Sequence, residues 1–311
     1  MCGNGTNETF YGDFNLRTFS AYKKASIVLI LAIFLMYVFS MLGNLIIIVV
    51  VHVAPRLHTP MYFFLSNLST QDVAYVSTIL PKLLVIEITG ETCISFLECF
   101  TQMFVFMGSA ATEYYLLAFM AFDRYVAICL PLKYSVIMNK GVCTILALIS
   151  WMAGFFNALL YVFLISHLSF CDSKSIQHFF CDMKALISLS CCDVTHMNNL
   201  MLTEVCVIGI LLFAMILTSY AFIISTILKI KTLASRMKIF SSCSSHLTVV
   251  FLFCGTSMTI YLKPDSESSK ELDMVLSLLY VAVVPACNPL VYTLRNQEVL
   301  SALKIKKNIF N

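Results

Sequence analysis

The first long apolar stretch of the chain reads ASIVLILAIFLMYVFSMLGNLIIIVVV, Ala25–Val51. A helix that crosses a bilayer needs about 20 mainly apolar residues, and this run is long enough. The polar residues before it, Met1–Lys24, lack the apolar core of a cleavable secretion signal. Ala25–Val51 is therefore expected to serve as an uncleaved signal anchor. Outward from it come six more segments of the same kind: Thr59–Val85, Ser95–Ile128, Lys140–Ser166, Thr195–Leu228, Arg236–Leu262 and Leu272–Leu294. The third and fifth exceed what a bilayer requires and should tilt or protrude. No internal repeat or separate soluble domain is visible. The expected architecture is an all-α bundle of seven transmembrane helices over 25–294, an extracellular tail at 1–24 and a cytoplasmic tail at 295–311.

Composition supports the bilayer as partner. Hydrophobic residues make up 59% of the chain and charged residues 12%, whereas soluble domains carry about 25% charge. So few charges do not cover a soluble surface of this size, and no nucleic-acid partner is expected. Seven Pro and ten Gly leave no room for a long disordered tail.

Loop charges and tail chemistry set the orientation. With the N-terminus outside, the inner side holds Arg56, Arg124, Lys133, Lys140, Lys229, Lys231, Arg236, Lys238, Arg295, Lys304, Lys306 and Lys307. That is a modest excess over the outer side, and Lys23 and Lys24 against Arg56 vote the other way. Asn4-Gly5-Thr6 and Asn7-Glu8-Thr9 are both glycosylation acceptors, useful only on the lumenal side. The matching Asn67-Leu68-Ser69 lies within the second span and should stay bare. Cysteines cluster in the loop that this orientation exposes to the oxidising exterior.

Two helix ends carry motifs. The third span closes on Met120-Ala121-Phe122-Asp123-Arg124-Tyr125-Val126-Ala127-Ile128-Cys129. Asp123 can hold the Arg124 guanidinium at rest and release it towards a partner; alternatively Arg124 only snorkels to the headgroups. The seventh ends in Pro285-Ala286-Cys287-Asn288-Pro289-Leu290-Val291-Tyr292. Pro289 removes a backbone donor, and Asn288 can supply a side-chain bond at the break. That is either a hinge or a static kink.

These motifs resemble those of rhodopsin-like G-protein-coupled receptors. Four longer strings are similar to odorant receptors in particular: 120–129, Pro60–Ser69, Ser241–His246 and Asn288–Asn296. Gly43-Asn44 fits as well, and the likeness runs from about Ser20 to Leu303. The resemblance implies a receptor for small odorants that activates a stimulatory olfactory G protein, raises cyclic AMP and resides in the cell membrane, in olfactory neuron cilia. It implies switch roles for Asp123, Arg124, Tyr125, Tyr220, His246, Asn288, Pro289 and Tyr292. It implies bridges Cys99–Cys181 and Cys171–Cys191 that pin the second outer loop as a lid. Cys192 could compete with Cys191, and Cys93 is left over. His178-Phe179-Phe180-Cys181-Asp182 is similar to a metal-binding pattern, but a bridged Cys181 offers no thiolate, so no metal is expected there.

Three acids fall within the spans, where ionisable groups are costly and suggest function. Asp72 and Glu113 match family positions beside Asn44 and Asn288, a cluster that either holds a sodium ion or is hydrogen-bonded structure. No other cofactor is expected. Glu204 departs from the common pattern. It either accepts a hydrogen bond from a ligand, pairs with an amine, hydrates near the outer interface, or meets an outer-loop Lys.

Pockets are mostly apolar with a few placed polar groups. The expected wall comprises Phe106, Met107, Ala110, Ala111 and Tyr114 of the third span and Glu204, Val207 and Ile208 of the fifth. Cys254, Ser257, Met258 and Tyr261 of the sixth and Leu278 and Val281 of the seventh complete it. The family usually places Tyr where Cys254 stands, so Phe253 or Tyr261 would have to share the switching role. The inner Lys and Arg residues serve a G protein, or only topology and lipid. The tail, Asn296–Asn311, is expected to form a short amphipathic helix. A transporter is disfavoured by the absence of repeats. An enzyme is disfavoured because His246 is the only histidine at membrane depth.

Overall fold

The computed structural model describes residues 13–19, 27–170, 174–262 and 270–291. Asn4, Asn7, Cys171, Tyr292 and the tail after Tyr292 lie outside the described residues. Among those described, seven long helices form one bundle. They are α1 (Ile27–Val53), α2 (Pro60–Thr89), α3 (Phe96–Cys129), α4 (Lys140–Ser166), α5 (Thr195–Lys229) and α6 (Leu233–Leu262). The seventh, α7, runs as Lys270–Leu278, a π turn at Leu279–Val283 and Val284–Pro289.

Local chemistry sets the ends. Pro60 opens α2, where its missing N–H costs nothing. Gly90 closes it in the left-handed region at φ 76°, its N–H bonded to Ile86 O at 2.8 Å. Ser95 and Glu98 form a reciprocal capping box at the start of α3. Asn139 caps α4 by accepting from Val142 N at 3.0 Å.

Six of the seven helices are long and apolar enough to cross a membrane. The exception is α2, because it turns Ser66, Ser69, Gln71 and Asp72 into the bundle, all of them buried. The outer faces point the other way: Leu31, Phe34 and Leu42 of α1 and Met152, Phe156 and Phe163 of α4 are all exposed. Lipid, not water, is the solvent such faces fit.

The N-terminal segment is more than a tail. Its strand β1 (Phe14–Leu16) lies between β2 (Cys93–Ile94), antiparallel, and β3 (Ser175–Ile176), parallel. This three-stranded sheet joins the N-terminal segment to the first and second outer loops.

Helix packing depends on small residues where backbones approach. A Cβ on Gly43 would come within 2.7 Å of the Pro289 ring. Asn44, next along, donates to Pro285 O at 3.1 Å. Pro285 O is the carbonyl that Pro289, lacking an N–H, leaves without its helical partner. The Gly-Asn pair of α1 thus seats and satisfies the α7 break, the role expected of Asn288.

Candidate functional site

A cavity of about 130 Å³ opens in the outer half of the bundle. From α3 it is lined by Phe106, Met107, Ala110, Ala111, Tyr114 and Tyr115, and from α5 by Met201, Glu204, Val205, Ile208 and Gly209. Ser257 and Tyr261 of α6, Tyr280 of α7, Met183 of the lid and Ala153, Asn157 and Tyr161 of α4 complete it. Tyr114 and Ser257 are hydrogen-bonded to each other across the floor. The Phe253 ring packs edge-on against Tyr114 at 4.7 Å and tilted against Tyr280 at 5.2 Å.

Five residues of the expected wall lie elsewhere. Val207 is 52% exposed on the outside of α5. Cys254, one turn deeper than Ser257, and Val281 are enclosed in the core, against which Leu278 packs. Met258 is half-buried away from the lining. Regular helical spacing misplaces Val207 of α5 and Leu278 and Val281 of α7 because both helices contain π turns, Val205–Gly209 and Leu279–Val283. An extra residue in a turn rotates the next residues by about 100° relative to the turn before it. Tyr280 consequently faces the cavity in place of its neighbours.

Glu204 also differs from expectation. Oε1 accepts from Asn157 Nδ2 at 2.5 Å and Oε2 from the Tyr161 hydroxyl at 2.6 Å. No ion pair between Glu204 and a lysine occurs among the described residues; Lys184, in the lid, donates to Ile260 O at 3.3 Å. Sequence pattern did not single out Asn157 and Tyr161, which are four apart on α4. An amide in so apolar a helix, one turn from a tyrosine, was the signal available.

The lid is fastened at several points. Cys99 and Cys181 are bridged, and Cys181 N donates to Gln102 Oε1 at 2.9 Å. Phe180 packs edge-on to Phe106 at 4.8 Å. His178 is buried, with Nε2 3.1 Å from Ser277 Oγ on α7. Burial holds its imidazole below the ordinary histidine range, while Asp182 and Asp273 pull the other way. Asp182 caps the short helix Met183–Ile187 and accepts from the Tyr261 hydroxyl at 3.2 Å. No grouping of three or more His, Cys, Asp or Glu side chains fit for a metal ion occurs among the described residues. Cys93 is disulfide-bonded rather than left over, and so is Cys191, while Cys192 is a free thiol.

Below the cavity lies a buried polar cluster. Gln71, which no motif had marked, donates from Nε2 to both Asp72 Oδ1 at 2.8 Å and Glu113 Oε2 at 3.0 Å. Asn288 Nδ2 donates to Asp72 Oδ2 at 2.8 Å. Four oxygens of the cluster, Asn44 Oδ1, Gln71 Oε1, Glu113 Oε1 and Asn288 Oδ1, are buried without a hydrogen-bond partner.

At the inner end Asp123 accepts from the Tyr134 hydroxyl at 2.9 Å. No Asp123–Arg124 ion pair occurs among the described residues, contrary to the expected resting lock. The loop tyrosine has taken the carboxylate, and Arg124 is left half-buried beside it. Tyr220 and His246 meet through a 2.8 Å hydrogen bond between the hydroxyl and Nδ1. The Tyr125 ring packs against Phe222 of α5 at 5.8 Å. Arg236 turns back to donate to Leu228 O at 2.9 Å, closing the end of α5.

A lidded outer cavity, a buried polar core and an inner Asp-Arg-Tyr end within seven helices define a seven-helix membrane receptor. A family model described as olfactory receptor matches residues 33–309. Olfactory receptor 8I2 of Homo sapiens is 44% identical over 301 residues, 96% of each chain. Olfactory receptor 2B6 of Mus musculus is 45% identical over 306 residues, 98% of this chain and 97% of the relative. Olfactory receptor 2K2 of Homo sapiens is 42% identical over 304 residues, 96% of this chain and 95% of the relative. The chain belongs to the olfactory receptor family. It is a multi-pass membrane receptor of the G-protein-coupled type, not an enzyme.

Proposed function

We propose that a small, largely apolar odorant binds in the outer cavity and shifts the bundle towards a state that activates a stimulatory olfactory G protein, raising cyclic AMP. The observation that carries this reading is continuity. Tyr114 lines the cavity and packs on Phe253, which packs on Tyr280, which stacks on Tyr75 at 6.4 Å. Tyr75 shares α2 with Gln71 and Asp72 of the polar cluster, one helical turn away. A ligand that spreads the outer ends of α3 and α6 would move that stack. A preference of about 1.4 kcal/mol for the open state changes the active-to-inactive ratio tenfold. Phe253 takes the aromatic role that Cys254 cannot fill.

Inside, release of Asp123 from Tyr134 frees the end of α3, and Arg124 reaches the G protein between α3, α5 and α6. Lys229 and Lys231, both exposed, contribute to that face. A sodium ion fits the polar cluster in the resting state. Its partnerless oxygens and two carboxylates are the hard donors such a cation takes. The residues that would hold it are Asn44, Asp72, Glu113 and Asn288. The chain is proposed to act in the ciliary membrane of olfactory neurons; a tagged chain confined to their internal membranes would refute that location.

The test is a panel of small odorants, neutral and amine-bearing, applied to cells that display the chain and contain the olfactory G protein. At least one should raise cyclic AMP, and Arg124→Ala should abolish the rise without loss of surface display. Replacing extracellular sodium with choline should lower the half-maximal odorant concentration in the parent and not in Asp72→Asn. Silence of the displayed parent to the whole panel, or an Arg124→Ala response equal to the parent's, would sink the receptor mechanism; sodium-independent potency would remove the ion.

A further inference from the structure

Among the described residues, Glu204 is the one acidic side chain on the cavity wall. The rest of the wall is methionines, small residues, aliphatics and aromatic faces, with Asn157, Ser257 and tyrosine hydroxyls as its neutral polar groups. Both carboxylate oxygens accept a hydrogen bond, from Asn157 and Tyr161, yet both donors are neutral. No ion pair to Glu204 occurs among the described residues. Lys184, in the lid helix, is engaged with Ile260 O. A carboxylate has about four lone-pair sites, so two remain after these bonds. With two neutral donors the carboxylate has no counter-ion, and a cationic occupant of the cavity would supply a charge-assisted hydrogen bond.

We propose that the cavity selects ligands carrying a primary or secondary amine, with the ammonium group paired to Glu204 and the hydrocarbon part packed against Phe106, Tyr114 and Ile208. The inference rests on the outer cavity being the odorant site. Asn157 and Tyr161 are positioning residues: each fixes one oxygen and leaves the remaining lone pairs directed at the occupant. The ammonium supplies the donors and the charge that the two neutral partners lack. The rings of Tyr114, Tyr115, Tyr161 and Tyr280, which also line the cavity, offer π faces that a cation prefers over bare aliphatic wall. An alcohol of the same skeleton can donate one hydrogen bond to Glu204 but leaves its charge unmatched.

The experiment compares benzylamine with benzyl alcohol and n-hexylamine with n-hexanol, plus the N-acetyl derivatives of both amines, in the cyclic AMP assay on the full chain. The amines should be at least about tenfold more potent than the alcohols and the acetamides on the parent, a difference of about 1.4 kcal/mol. Glu204→Gln should remove that advantage, lowering amine potency by about tenfold or more and alcohol potency by clearly less. Tyr161→Phe should lower amine potency by less than Glu204→Gln does. Equal potency of amine, alcohol and acetamide on the displayed parent overturns the proposal, and this arm does not depend on any variant folding. Equal loss for amine and alcohol in a displayed Glu204→Gln overturns it too. If alcohols or other neutral odorants activate while amines do not, only the amine assignment falls. If nothing neutral or cationic activates the displayed chain, the receptor mechanism falls with it.

Discussion

His178 shows how a single side chain in the lid ties folding to pH. It is 5% exposed, stacks on Phe179 at 4.8 Å and meets Ser277 of α7. Its pKa is lowered in the folded lid because burial disfavours the charged ring. The unfolded chain takes up a proton below about pH 6.5, while folded His178 does not. Protons therefore favour the unfolded lid: the contribution is fully present above about pH 6.5 and is lost as pH falls towards the lowered folded value. Purified receptor should lose thermal stability on acidification from about pH 7.5 to about 5.5. His178→Gln should flatten that loss, and an unchanged slope in the variant would show that another group titrates. At the same scale, Asn44 and Asn288 illustrate how one residue type serves two purposes. One satisfies the α7 carbonyl opposite Pro289; the other holds Asp72. Only their partners distinguish them.

At the level of elements, α3 and α4 meet across glycines. A Cβ on Gly154 would lie 2.5 Å from Thr112 Oγ1 and 2.7 Å from Gly108 O, while one on Gly108 would lie 2.7 Å from the Phe155 ring. Thr112 Oγ1 is itself bonded to Gly108 O at 2.7 Å, so it has nowhere to retreat. Gly255 of α6 has nothing within 4 Å of a built Cβ. Gly154→Ala should cost about 1–3 kcal/mol through overpacking and reduce surface display of a tagged chain. Gly255→Ala should display at parental levels or better, since alanine favours a helix over glycine by about 1 kcal/mol. Equal display of the two variants, measured by antibody on unpermeabilised cells, would contradict the tight α3–α4 seam. The same seam fixes which face of α4 turns inward, and so brings Asn157 and Tyr161 to Glu204.

For the whole molecule, the outer sheet and the Cys99–Cys181 bridge hold the lid over the cavity. The bridge closes a separation of 82 residues. By loop-closure arguments that is worth about 4–5 kcal/mol, a large part of a typical folding free energy. Cys181→Ala should abolish surface display or lower the unfolding temperature of purified receptor by roughly 6–8 degrees, which is what a loss of about 4–5 kcal/mol produces in a chain of this length. Gln102→Ala removes one neutral hydrogen bond to the lid and one to Thr78 O of α2, and should cost about 1–3 kcal/mol. A Cys181→Ala receptor as stable as the parent would mean that strand pairing and lid packing suffice without the bridge.

Much of this was legible in the residues alone. Long apolar runs specify spanning helices because a bilayer leaves the backbone no other way to satisfy its polar groups. Asp123, Arg124, Asn288 and Pro289 mark themselves, since charges and helix breaks are rare at such depths. Most of the cavity wall on α3 could be read from regular helical spacing, which α3 keeps throughout. Tertiary structure decided the rest. The π turns of α5 and α7 have no local signature and change which residues face inward. Tyr134 claims Asp123 from a different element, and Gln71 bridges Asp72 to Glu113 across a helix interface. The neutral partners of Glu204 come from α4, 43 and 47 positions away in the chain. A sequence states which groups need partners, but only packing chooses them, because the choice depends on distances that helical periodicity within a single element does not contain.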